Sequence, residues 1–415
     1  MCQHPAHTRG DILDSPFSGR SDVVTIPEPD ADARAHSDAL REGIRQFIAA
    51  EGGRIPFSKF MELCLYAPGL GYYSAGARKF GAAGDFVTAP EIGSLFAQCV
   101  AEATAPVLSQ LGGEGDFLEI GGGSGAFAAD VLQAFEAQGI LPRRYKILEP
   151  SADLRERQAE RVRDVLPTHL AERVEWLDGP ISESWRGVVF ANEVIDALPT
   201  TRFVIGDEEV LEEYVELDGE NFTITTQPAD ALTAAAVRSV ELRLDAPLPQ
   251  GYRSEILPQL PYWVQAVIGP MAAGVLLFAD YGYPRRAFYH ATRSDGTLRA
   301  FRRHHVVSDV MAWPGLQDIT ASVDFTALAE AGTDAGFSFA GYCTQADFLI
   351  ANGLEKFATL AEGACADEVA RLRIREQVKR LTLPSEMGER FQVMGFSHQV
   401  EFDAAFLLGD RSYSL

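Results

Sequence analysis

Short segments rich in apolar residues recur through the middle of the chain and are strand candidates, at residues 116–120, 145–149, 173–177, 187–191 and 274–280. Two of them, 187–191 and 274–280, are almost free of polar residues, which marks strands covered on both faces, as in a parallel sheet. Patterns of helical period near 126–138 and 151–165 separate the first of them. Strands alternating with helices predict an α/β fold built on a doubly wound, mostly parallel sheet. Upstream, Leu40, Ile44, Phe47 and Ile48 recur at helical spacing after Ser37, and Gly52-Gly53 ends that helix. A second helix is expected from about Ser58 to Pro68, and a third from about Ile92 to Leu108.

Two stretches depart from the pattern. Residues 202–225 alternate around Asp218-Gly219, which predicts a β-hairpin insertion. Residues 281–325 read as a long, irregular, Arg-rich insertion, and a long loop inside an α/β domain is more often functional than accidental. Residues 1–36 carry Asp, Ser, Pro and His without periodicity and read as a disordered leader. The expected organisation is this leader, an N-terminal helical region over 37–112, and a core domain over 113–415 that carries both insertions.

The first core strand runs directly into Gly121-Gly122-Gly123-Ser124-Gly125, and an apolar helix follows. Strand, glycine turn and helix N-terminus together form a site for an adenosine-containing cofactor. Gly121 and Gly123 allow a positive φ and a close ligand approach, and the first helical N–H groups face the ligand. The spacing also fits a dinucleotide fingerprint. Glu119, at the end of the strand, argues against that: a carboxylate there repels pyrophosphate and attracts a cationic amino group. S-adenosylmethionine (SAM) has such a group and no phosphate. Glu149 ends the next strand, 24 residues after Gly125, where an acid can accept from both ribose hydroxyls.

The strand ending at Ala191 leads into Asn192-Glu193-Val194-Ile195-Asp196. Ligands bind at the carboxyl ends of parallel strands, which places Asn192, Glu193 and Asp196 beside the reactive end of the cofactor. A carboxylate there can orient a nitrogen nucleophile and take its proton. The alternative is a helix cap at Asn192 with acids in the first turn. Asp280-Tyr281-Gly282 occupies another strand end, facing the cleft or only turning into the insertion. Six arginines and one acid lie between Arg285 and Arg303; they serve either an acidic partner or, the preferred reading, the protein's own acidic surface. His304-His305 lack a third ligand in sequence, so no metal is expected.

The chain has 415 residues, of which 47% are hydrophobic, and a net charge of −23. That charge excludes a general nucleic-acid binder. The apolar stretch Met271–Ala279 is too short to span a bilayer, so no membrane association is expected. Five dispersed cysteines suggest reduced thiols and a cytoplasm-like compartment, and the acidic leader argues against a transit peptide.

Taken in order, several segments resemble the MidA family of SAM-dependent methyltransferases, relatives of the mitochondrial complex I assembly-factor arginine methyltransferase. They are Pro68–Tyr73, Gly84–Glu91, Glu119–Gly125, Asn192–Pro199, Asp280–Gly282, Gly296–His304, Pro314-Gly315, Asp318–Thr320 to Val323–Phe325, Thr344–Leu349 and Pro384–Gly388. The resemblance spans roughly residues 37–400. It implies a Rossmann-like methyltransferase core, with SAM held by Glu119, Gly121, Gly123, Gly125 and Glu149 and the cleft bordered by Asp85, Thr88, Pro90 and Glu91. It also implies a protein substrate, such as a respiratory complex subunit, methylated on an arginine nitrogen. The compartment is then bacterial cytoplasm, or mitochondrial matrix in a eukaryote, and a homodimer is compatible. Two other classes stay open: a SAM-binding assembly factor with little catalysis, and an NAD-dependent oxidoreductase.

Overall fold

The computed structural model describes residues 28–75, 88–303 and 305–415. Most of the expected leader, the cleft residue Asp85 and His304 lie outside these residues. The central sheet is built from β1 (Asp116–Ile120), β2 (Tyr145–Leu148), β3 (Val174–Leu177), β4 (Trp185–Asn192), β5 (Met271–Tyr283), β6 (Ser338–Thr344) and β7 (Phe391–His398). Their spatial order is β6-β7-β5-β4-β1-β2-β3. Strands β1 to β5 are parallel, and β7 runs antiparallel between β5 and β6. Every residue of β1 is buried, the acids Asp116 and Glu119 included, as in a strand covered on both faces.

Apolar side chains pack on both faces. One cluster joins Phe117, Phe127, Val188 and Phe190 to the helix Leu95–Gln110, and the other joins Leu118, Val189, Leu276 and Phe396 to the helix Leu260–Ile268. After β1 the chain winds outward through β2 and β3, then returns to place β4 on the other side of β1. The reversal opens a crevice at the carboxyl ends of β1 and β4, where ligands bind in such sheets.

Three expectations are corrected. The first helix, α1 (Ala31–Ala50), begins before Ser37, because Asp30 accepts from the Ala33 N–H and supplies the cap; Ser37 is buried inside the helix. The hairpin does turn at Asp218-Gly219, joining strands Val210–Asp218 and Asn221–Pro228. It belongs, however, to a five-stranded antiparallel sheet completed by Thr201–Ile205, Arg253–Ile256 and the distant Arg54–Pro56. The segment 281–325 is also not irregular: Arg299–Arg302, His305–Val307 and Asp318–Thr320 form a small antiparallel sheet. Both added sheets share an apolar cluster with α1 and α2 (Phe57–Tyr66), including Leu40, Ile44, Phe60, Val215, Ala300 and Ile319. The N-terminal helices are thereby fixed beside the open end of the crevice.

The arginines of this segment mostly serve the protein itself. Arg285 pairs with Glu330 at 2.6 Å and Asp324 at 3.3 Å, Arg286 with Asp245 at 3.3 Å, and Arg293 lies 4.1 Å from the Tyr283 ring centroid.

Candidate active site

Among the described residues, a cavity of about 2370 Å³ occupies the crevice. The turn after β1 forms its floor. Gly121 and Gly123 have φ of +69° and +51°, in the region where side chains are strained, and both line the cavity. A Cβ on Gly121 would meet Val194 Cγ2 at 3.1 Å, so a side chain there would intrude on the cradle. Gly125 does not reach the cavity. It caps the helix α3 (Ala126–Ala137) with φ +79°, and a Cβ there would meet the Gln158 Cα at 3.1 Å.

Glu119 is 4% exposed and lines the floor, where it accepts a 2.8 Å hydrogen bond from the Tyr145 hydroxyl. Burial, aided by the nearby Glu149, pushes its carboxyl up to about 8 despite that hydrogen bond. Glu149 lines the cavity just past β2 and accepts from the Ser151 N–H at 3.0 Å. Between the two stands a residue that sequence reasoning missed. Gln158 donates to the Gly123 carbonyl (3.0 Å) and to Glu149 (3.2 Å) and accepts from the Trp176 indole (2.9 Å). One fully buried amide therefore ties the glycine turn to the acid of the next strand. Thr88, Pro90 and Glu91 also line the cavity, and Ser124 donates to Glu91.

The reading of Asn192 as a helix cap is overturned, because no helix follows β4. The chain turns sharply, with Glu193 at φ +53°. Asp280, at the end of β5, holds this turn: its carboxylate accepts from the Ile195 N–H (3.0 Å), the Asp196 N–H (3.3 Å) and the Tyr281 N–H (2.9 Å). Asp280 is thus a backbone clamp behind the cavity wall, whereas Tyr281 lines the cavity. The result is that Asn192, Glu193 and Asp196 face one space. Burial and the neighbouring Asp196 push Glu193 up to about 8, and burial raises Asp196 as well. One Asp196 carboxyl oxygen (Oδ1) and the Asn192 side-chain amide oxygen (Oδ1) are buried without a hydrogen-bond partner among the described residues. Buried acceptors left this way are costly unless a ligand supplies the donor.

The opposite wall comes from the N-terminal helices and the small sheet. Tyr66 stacks on Tyr73 with ring centroids 5.5 Å apart, and both line the cavity. Tyr66 donates to the Ala197 carbonyl and Tyr73 to Asp318, each at 2.8 Å. On the small sheet, Arg299 and Phe301 pair with Thr320 and Asp318, and all four face the cavity. Sequence reasoning assigned none of them a role; the only signal was their position in quoted segments.

A glycine cradle, a buried acid before it, a second acid one strand over and a further acidic cluster at the next strand end define a Rossmann-like nucleoside-cofactor enzyme. The residues fit SAM: the cradle is open to a close ligand approach, and Glu119 lines the same cavity with an acid suited to a cationic group. Comparison with known proteins agrees. The chain belongs to a family of S-adenosyl-L-methionine-dependent methyltransferases, whose profile matches residues 99–343. A COG1565 superfamily member from Burkholderia thailandensis, crystallised with S-adenosyl-homocysteine, is 40% identical with a TM-score of 0.86, covering 94% of this chain and 100% of that one. The mitochondrial protein arginine methyltransferase NDUFAF7 of Danio rerio is 28% identical, over 86% of this chain and 87% of its own. The human protein of that name is 26% identical, over 82% and 79%. The MidA-like resemblance and the SAM cofactor stand, and the dinucleotide reading is set aside. The chain is a SAM-dependent methyltransferase. No described helix is long and apolar enough to cross a membrane.

Proposed function

We propose that this enzyme methylates an arginine nitrogen of a protein substrate, in a bacterial cytoplasm or a mitochondrial matrix. The observation that carries the reading is the acidic end of the cavity: Glu193 and Asp196 face it together, and one Asp196 oxygen lacks a partner among the described residues. Paired carboxylates match the planar donor fork of a guanidinium. The naming of the curated relatives as protein arginine methyltransferases supports the same choice.

In the proposed site Gly121 and Gly123 cradle the cofactor, Glu119 holds its amino group and Glu149 its ribose, with Thr88, Pro90 and Glu91 at the border. The bound cofactor supplies an electrophilic methyl group, whose bond to sulfur breaks with its electron pair retained by sulfur as the bond to nitrogen forms. Asp196 and Asn192 orient the guanidinium so that one nitrogen lone pair points at that carbon. Glu193 accepts the proton this nitrogen sheds, a role suited to a carboxyl held near neutral pH. Alignment alone can supply about 7–11 kcal/mol of the barrier, so no stronger base is needed.

The test is transfer of labelled methyl from SAM into a lysate lacking this protein, with Glu149→Ala as control, followed by acid hydrolysis. Label in methylarginine, seen only with the intact enzyme, supports the proposal. Label in another amino acid overturns the arginine assignment. No label, with S-adenosyl-homocysteine still bound, moves the reading to a SAM-binding assembly factor.

A further inference from the structure

The acidic end of the cavity does not stop at the turn after β4. Asp318, 4% exposed, comes from the small sheet and lines the same space, and it raises the Glu193 carboxyl together with Asp196. Its partner Tyr73 is tied at both ends. The phenol donates to Asp318 Oδ1 at 2.8 Å, and the main-chain carbonyl accepts from Ser151 Oγ at 2.8 Å. The Ser151 N–H in turn donates to Glu149 Oε1 at 3.0 Å. Three hydrogen bonds, joined through the covalent frames of Ser151 and Tyr73, therefore link the proposed ribose acid to an acid at the substrate end. The Tyr66–Tyr73 stack flanks it, anchored to Ala197, the residue after Asp196.

These contacts join four parts of the chain that are far apart in sequence: the N-terminal helical region, the β2 end, the β4 end and the small sheet. A purely structural tie would not need to place a carboxylate, a phenol and an aromatic face on the cavity surface. A guanidinium has five N–H donors and a flat face that stacks on aromatic rings. Glu193 and Asp196 can engage one edge of it. Asp318 and the tyrosine stack offer an acceptor and a flat surface on the opposite wall.

We propose that Asp318 and Tyr73 are positioning residues for the substrate guanidinium, kept in register with the bound cofactor through Ser151. This rests on the arginine reading above. Asp318 meets the guanidinium, Tyr73 sets the orientation of Asp318, and Ser151 fixes Tyr73 relative to the ribose acid. Acid, phenol and hydroxyl then act as one unit, and filling the ribose site orders the substrate wall.

The experiment uses two adenosine-linked probes, one ending in an alkylguanidinium and one in the isosteric, neutral alkylurea, with S-adenosyl-homocysteine as a third ligand. Binding to the full chain is measured by calorimetry. The wild type is expected to prefer guanidinium over urea by roughly ten- to hundredfold, the scale of one or two charge-assisted hydrogen bonds. D318N and Y73F, which preserve shape and stacking, should each lose about tenfold of that preference while binding S-adenosyl-homocysteine as the wild type does. Unchanged S-adenosyl-homocysteine affinity certifies the fold, so lost discrimination cannot come from unfolding. S151A should lose part of the preference, because it severs the register without touching the probe. A wild type with no preference would overturn the arginine reading itself. A wild type that discriminates, with D318N and Y73F discriminating equally well, would overturn this proposal alone.

Discussion

Glu119 should make SAM affinity depend on pH in a way that only its own carboxyl explains. Burial raises that carboxyl to about 8, so in the unliganded protein it is ionised in about one molecule in ten at pH 7 and about one in a hundred at pH 6. If the cofactor's cationic amino group binds against it, the carboxylate form is selected. Binding then carries an ionisation cost of about 1.4 kcal/mol at pH 7 and about 2.7 kcal/mol at pH 6. Affinity should therefore fall close to tenfold per unit below pH 8, with nearly one proton released per cofactor bound. Above pH 8 the α-amino group itself, with an ordinary value of about 8, loses its charge. The affinity optimum thus lies close to pH 8. Calorimetry in buffers of different ionisation enthalpy counts the protons directly. Methylthioadenosine keeps the adenosine and lacks the amino-acid part, so its affinity should be flat over the same range. E119Q should flatten the SAM profile and weaken binding at pH 8 by roughly ten- to hundredfold, the worth of a hydrogen bond to a charged group. Parallel slopes for SAM and methylthioadenosine, or a slope that survives in E119Q, would refute the assignment of Glu119 to the amino group.

E193Q should leave S-adenosyl-homocysteine affinity unchanged and lower kcat by roughly 10²- to 10⁴-fold, the usual range for a general base. In the wild type, kcat/KM should climb with pH through about 8, where Glu193 is half ionised, and level off above it. That limb should vanish in E193Q; a profile that keeps it assigns the titration to another group. Gln158→Leu should weaken S-adenosyl-homocysteine binding and lower stability by about 1–3 kcal/mol for each polar partner left buried and unpaired. Denaturant unfolding and calorimetry test it together, and a loss of stability with unchanged affinity would confine Gln158 to the core.

The contrast between Glu119 and Asp318 shows why one half of the site could be read from sequence and the other could not. Glu119, Gly121 and Glu149 sit at or just past the ends of short segments rich in apolar residues, which mark the strands, and topology alone places those ends at the crevice. Asn192, Glu193 and Asp196 follow the same logic. What the run cannot convey is the backbone that follows it. A helix cap and a tight turn held by Asp280 place the same acids after the same strand, and only the long-range bonds from the Asp280 carboxylate decide between them. Asp318 has no such marker. Its strand is three residues long, from Asp318 to Thr320, too short for any periodicity to register, and so the whole segment 281–325 reads as loop. Gln158 is equally silent, because a buried amide on a helix with many charged residues acquires meaning only when Gly123, Glu149 and Trp176 converge on it. The cofactor half of the cavity is thus built from local chain geometry that repeats at each strand end. The substrate half is assembled from α2, the segment around Tyr73 and a small sheet inserted after β5. Sheet, cradle and the guanidinium contacts can stay constant while the rest of those added pieces changes, so differences in protein substrate between relatives of this enzyme should concentrate on the small sheet around Arg299 and Phe301. Exchanging the segment 285–322 between two relatives is the direct check: protein substrate preference should travel with the segment, and SAM affinity should stay with the recipient. Preference that stays with the recipient would place recognition outside the small sheet.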